Sequence, residues 1–164
     1  MTTALFSLAL DDLEATHRFG ARLCDCLQAG NVVCLDGPLG AGKTALARAV
    51  LQAKMRKNGH VEDVPSPSFT LVQLYEFSDV DVWHTDLYRL NDLAEVEELG
   101  LFDAMETSIC LIEWPDRLGP AVPKDALFIK FEVEPGSDTR NLTFHGPAFW
   151  RARLRSIGME SIDA

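Results

Sequence analysis

Short apolar runs and stretches of helical spacing take turns along this chain, and the two periods predict most of its elements. The run Ser108–Ile112 is apolar enough for a central strand covered on both faces, and Asn31–Asp36, around Val32-Val33-Cys34-Leu35, predicts another. Leu13, Phe19, Leu23 and Leu27, with His17 at the margin, recur at helical spacing. They predict a helix capped by Asp11 or Asp12, running to about Ala29 and stopped by Gly30. Lys43–Lys57 predicts a second helix, with Lys54, Arg56 and Lys57 complementing the dipole at its end. Phe69–Phe77 and Val80–His84 flank a turn at Ser78-Asp79 and predict an antiparallel hairpin. Short helices follow at Leu93–Leu99 and Phe102–Glu106, and further strands are predicted at Thr3–Leu8, Leu127–Val133 and Asn141–Phe144. Phe149–Ile157 predicts a terminal helix bearing Arg151, Arg153 and Arg155. The class is therefore α/β, with a mixed sheet that includes an antiparallel hairpin. No repeat or linker divides the chain, so residues 1–164 are expected as one domain, with 147–164 as a helical C-terminal extension.

Between the second strand and the second helix stands Gly37-Pro38-Leu39-Gly40-Ala41-Gly42-Lys43-Thr44. This is G-x-x-x-x-G-K-[ST] in its strand–loop–helix setting, the phosphate-binding P-loop. Glycines let successive backbone N–H groups converge on a phosphate, and the helix N-terminus adds its partial positive charge. Pro38, Leu39, Gly40, Ala41, Gly42, Lys43 and Thr44 are thus the expected nucleotide-binding residues. In this loop type the lysine meets the β- and γ-phosphates and the hydroxyl meets Mg²⁺. The fold expected around it is a P-loop NTPase-like three-layer sandwich.

Composition narrows the function. At 47% apolar and 24% charged, the 164 residues suit a globular protein with a real core. Lys+Arg 15 against Asp+Glu 25 leaves a net charge of −10, which argues against binding nucleic acid unaided. The N-terminal residues lack the pattern of a signal peptide, and no apolar stretch reaches membrane-span length. Cys24, Cys26, Cys34 and Cys110 fall within predicted helices and strands, as small buried packing residues suited to a reducing cytoplasm. The expected location is cytoplasmic.

A P-loop needs an acidic partner for its metal, normally at the end of a neighbouring strand. Two residues qualify. Glu113 ends the clean apolar run Ile109-Cys110-Leu111-Ile112 and is the preferred metal-side carboxylate. Asp86 ends a strand broken by polar residues; it is available to position a water or a switch segment, or to cap the turn at Leu87–Leu90. The absence of N-K-x-D and T-K-x-D weighs against a GTPase. A small-molecule kinase would want an arginine-bearing lid. Arg117 and Arg140 are its isolated candidates, and this reading stays open as the alternative.

Four segments together carry a resemblance. They are the P-loop, Ser66-Pro67-Ser68-Phe69-Thr70-Leu71-Val72, His84-Thr85-Asp86-Leu87-Tyr88-Arg89-Leu90 and Ile112-Glu113-Trp114-Pro115. In order and spacing they resemble the TsaE (YjeE) family of bacterial ATPases, over roughly residues 4 to 145. The resemblance implies an accessory ATPase of tRNA threonylcarbamoyladenosine formation, using ATP and Mg²⁺. It would work with TsaB and TsaD, which modify adenosine 37 of tRNAs reading ANN codons and would hold the tRNA. It implies Thr44 and Glu113 as metal residues, with Lys43, Asp86 and Glu113 as catalytic ones, a switch-like segment at Ser66–Val72, and adenine near Asp12-Leu13. Ser68 stands where the family more often has Thr, keeping the hydroxyl.

Overall fold

The two central apolar runs lie side by side, and the rest of the sheet is built outward from them. A computed structural model describes residues 4–160. Its strands are β1 (Ala4–Leu10), β2 (Val32–Asp36), β3 (Val72–Tyr75), β4 (Val82–Asp86), β5 (Ile109–Glu113), β6 (Leu127–Val133) and β7 (Arg140–His145). They form one sheet in the order β1-β7-β6-β2-β5-β4-β3. The middle four strands, β6-β2-β5-β4, are parallel. The outer pairings β3–β4, β6–β7 and β7–β1 are antiparallel, so the expected hairpin is present and a second antiparallel region joins it.

Alternate residues of the central strands feed two cores. Val33, Leu35, Ile109 and Leu111 face one, together with Phe19 and Leu23 of α1 (Leu13–Cys26) and Leu46 and Val50 of α2 (Lys43–Lys57). Val32, Cys34, Cys110 and Ile112 face the other, with Val96 of α3 (Leu93–Leu99) and Leu101, Ala104 and Met105 of α4 (Leu101–Thr107). Both faces are covered, as parallel strands require, and the result is the expected three-layer sandwich. Helices α1 and α2 pack close at Gly20, where an added Cβ would stand 2.4 Å from the Cβ of Ala49. α5 (Phe149–Ser156) closes the first core with Trp150 and Leu154, and the described residues on either side of it, 147–148 and 157–160, are not helical; residues 161–164 and the start of the predicted first strand, Thr3, lie outside the described residues.

Several boundaries differ from expectation for local reasons. α1 stops at Cys26, before Ala29, because Leu27 turns extended and the side chain of Asn31 takes the Gln28 amide at 2.7 Å. Leu13 is 59% exposed and takes no part in the apolar face; Thr16 is buried in the next turn instead. β3 begins at Val72 and not Phe69, since Leu71 N–H closes a turn on Pro67 and Leu71 itself has φ 67°. Asp86 and Glu113 remain within their strands, which places both side by side at the carboxyl edge of the sheet.

Candidate functional site

That carboxyl edge is where β2 runs into the P-loop. Gly42 caps α2 in the left-handed region, φ 104°, and contributes no side chain to the helix terminus. The first amides of α2 are thereby left for an incoming anion. Lys43 is only 4% exposed. Its ammonium donates to the carbonyls of Gly37 and Pro38, the latter at 3.2 Å, and stands 3.7 Å from the ring centroid of Trp114. Burial lowers its pKa from the ordinary lysine value, while the charges of Glu113, Asp36 and Asp86 press the other way. Lys43 is thus a desolvated cation held by carbonyl dipoles and an indole face.

Trp114 follows Glu113 directly and adopts φ 60°, a conformation uncommon for a bulky residue. Its N–H reaches Leu35 O at 3.3 Å, and its ring packs on Tyr88 at 4.9 Å between centroids. The turn aims the indole back over the loop.

The carboxylates stand beside it. Thr44 Oγ1 donates to Glu113 Oε1 at 2.7 Å, and the ring of His84 meets Glu113 Oε2 at 2.8 Å through Nε2. Glu113 is 2% exposed and His84 fully buried. With the proton on Nε2 the imidazole donates to the carboxylate, and the unpartnered buried Nδ1 is then a lone pair and not an orphaned N–H. Asp86 divides its oxygens. Oδ1 accepts from Tyr88 N at 3.0 Å, capping the turn, and Oδ2 lies 3.5 Å from the Ser68 hydroxyl, itself 2.7 Å from that of Ser66.

A cleft of about 390 Å³ runs between these groups, lined among others by Lys43, Thr44, Ser68, Asp86, Glu113 and Trp114. A second cleft of about 330 Å³ lies on the α1 side, walled by Asp12, Leu13, Thr16 and Asp138. Gly42, Ala45 and Arg140 line both. Among the described residues no group of three or more His, Cys, Asp or Glu side chains is arranged to hold a metal. The donor set of Thr44 hydroxyl and Glu113 and Asp86 carboxylates is all oxygen. It fits Mg²⁺, which is held by one or two carboxylates together with substrate phosphates and not by an all-protein cage.

Comparison with known proteins gives the family. The family model "Threonylcarbamoyl adenosine biosynthesis protein TsaE" matches residues 10–142. The chain belongs to the TsaE family. Its curated relatives include TsaE of Haemophilus influenzae, 37% identical over 131 residues covering 76% of this chain and 79% of that protein. TsaE of Synechocystis is 40% identical over 70% of this chain and 72% of its own, and TsaE of Mycobacterium bovis 35% over 82% and 83%. In three dimensions the chain is similar to a crystal structure of Bacillus subtilis YdiB, with TM-score 0.71 and 21% identity over 96% of this chain and 95% of that one, a likeness of fold.

The site residues expected in this TsaE-family chain can now be placed. Leu39, Gly40, Gly42, Lys43, Thr44, Asp86 and Glu113 share one cleft, while Pro38 bonds Lys43 through its carbonyl and Ala41 is buried beneath the loop. Glu113 is held on both oxygens and is no solvated strand end. Asp86 caps the turn through Oδ1 and also lines the cleft. Arg117 is exposed on the 3₁₀ turn Pro115–Ala121 and does not line the cleft, whereas Arg140 does. His84 had no assigned role in the sequence. Its signal was a lone imidazole inside a strand that ends in an acid.

Proposed function

We propose that this protein binds and hydrolyses ATP as the accessory ATPase of tRNA threonylcarbamoylation, acting on TsaB and TsaD. The observation that carries the reading is the Thr44–Glu113 pair at the mouth of the P-loop, with Asp86 beside it in strand register. Loop amides and Lys43 take the phosphates, with Lys43 leaving the carbonyls of Gly37 and Pro38 for the β- and γ-oxygens. Thr44 and Glu113 hold the metal, which when bound neutralises charge developing on the phosphate oxygens. Asp86 orients the attacking water, and Ser66 and Ser68 bring the switch-like segment against it. Catalysis by this set is positioning and charge stabilisation. The adenine enters the cleft at Asp12, Leu13 and Thr16.

A net charge of −10 suits a subunit that leaves the tRNA, one reading ANN codons, to its partners. No helix among the described residues is long and apolar enough to cross a membrane, which is compatible with the cytoplasmic location proposed here. The test is ATP turnover of the purified chain alone and with TsaB–TsaD. Turnover that rises with the pair, together with restored adenosine 37 modification in a strain depleted of its own TsaE, supports the reading. Equal turnover with and without the pair sinks the activation, and transfer of the γ-phosphoryl group to a metabolite in place of water would make the chain a small-molecule kinase.

A further inference from the structure

The nucleotide site has one cation buried inside it, Lys43, and a second at its seam. Arg140 opens β7 opposite Leu10 of β1 and Val133 of β6. It is half-buried and lines both the P-loop cleft and the cleft beside α1. A Cβ built on Gly42 would sit 3.8 Å from Arg140 Cγ and Nε, so the side chain lies along the last glycine of the loop.

The guanidinium is poorly engaged. Its hydrogen bond is a long one, Nη1 to Ser137 O at 3.5 Å, and no ion pair among the described residues involves it. Asp12, in the same cleft, spends Oδ1 on the α1 N-cap at 2.8 Å. A half-buried guanidinium with most of its five donors unused is set up to receive an anion.

We propose that Arg140 is a nucleotide-binding residue that grips the α-phosphate where it joins the ribose. This inference rests on the reading of the cleft as an ATP site. Position selects the phosphate. Thr44, Glu113 and Asp86 fix the metal and γ-phosphate end of the cleft, and Arg140 lines the passage from that cleft to the one beside Asp12 and Leu13. A nucleotide with its base in the second cleft must pass Arg140 at its α-phosphate. The fork donates to two of its oxygens, a geometry lysine cannot reproduce. The contact is the same for ATP and ADP, because it is made to the part of the nucleotide that hydrolysis leaves unchanged.

Equal contact to substrate and product gives uniform binding, which appears in KM and not in kcat. The experiment measures binding of fluorescent ADP and ATP analogues, inorganic tripolyphosphate binding, and turnover, for wild type, Arg140→Ala, Arg140→Lys and Lys43→Ala. We expect Arg140→Ala to weaken ADP and ATP by the same factor, about tenfold or more, as loss of one charge-assisted contact implies. The same factor should appear in KM, and Arg140→Lys should recover part of it. Tripolyphosphate, whose third phosphate takes the α position, should lose affinity by a comparable factor. A fall in kcat with ADP affinity intact would place Arg140 at the γ-phosphate and overturn the proposal. Unaltered ADP and ATP affinities would overturn it too, and a melting temperature equal to wild type excludes misfolding as the cause of any loss. Wild-type protein that binds no nucleotide would instead refute the ATP reading itself.

Discussion

The two ends of the parallel strands both carry a cleft, and the larger one holds less chemistry. At the carboxyl edge about 390 Å³ is lined by Lys43, Glu113 and Asp86, all buried, with buried His84 bonded behind Glu113. At the amino edge about 820 Å³ opens between Gly30, Phe102, Met105, Phe149 and Arg153. Its arginine is occupied: Arg153 bonds Asn31 Oδ1 at 2.6 Å and Gln28 Oε1 at 3.3 Å, and lies against the rings of Phe149 and Trp150 at 5.2 Å. Arg140 at the other edge has one long bond to a carbonyl. Desolvated polar groups held in place, and not volume, distinguish a site from a crevice.

The contrast is broken most severely at Lys43. Under the ATPase reading, Lys43→Ala should cut turnover by about 10² to 10³-fold, since it removes a preorganised charge from the phosphates. A steady-state phosphate-release assay reads this, and near-normal turnover would dismiss Lys43 as the phosphate cation.

A smaller effect belongs to His84, which acts through Glu113. His84→Phe should raise the Mg²⁺ concentration needed for half of the nucleotide-induced melting shift by about 10 to 100-fold, the usual loss when a ligand's supporting partner goes. His84→Gln, whose amide can still donate, should recover part of it. The same Mg²⁺ dependence in both variants would show that His84 merely fills space.

Arg153→Ala probes the other edge. We expect unaltered nucleotide affinity and a loss of at most about 1 kcal/mol of stability in urea unfolding, from hydrogen bonds to neutral partners. Weakened nucleotide binding would erase the distinction between the edges.

The smallest effect concerns the thiols lying between them. Burial pushes Cys26 up to about 11 and Cys110 up to about 12, and raises Cys24 and Cys34 as well. A pKa raised in the fold protects stability that is whole below the ordinary thiol value of 9.0 and is lost as pH climbs through about 11 and 12. Near pH 8 a thiol-exchange reagent should label none of the four until denaturant is added, and rapid native labelling would contradict the burial.

Much of this was readable from the chain because the informative patterns are local. α2, α3 and β6 keep their expected bounds of Lys43–Lys57, Leu93–Leu99 and Leu127–Val133. The P-loop pattern lies in contiguous residues, and Glu113 stood out as a candidate because an apolar strand leads to it. What stayed hidden depends on pairing across the sheet. His84 meets Glu113 from another strand, and Arg140 reaches Gly42 only because β7 is threaded between β1 and β6. No spacing rule encodes either meeting. The end of α1 and the start of β3 were misjudged where a side chain or a left-handed residue redirected the backbone, at Asn31 and Leu71.

The threading of β7 between β1 and β6 also sets an order of events. During synthesis the P-loop emerges long before the strand that supplies Arg140, and β1 must wait for that same strand to find its neighbour. A ribosome-bound chain halted ahead of β7 carries the P-loop residues without Arg140 beside them. The strand that pairs with β1 is also the one that supplies Arg140, and a nucleotide gripped there would fasten α1 and the P-loop to a strand made after them.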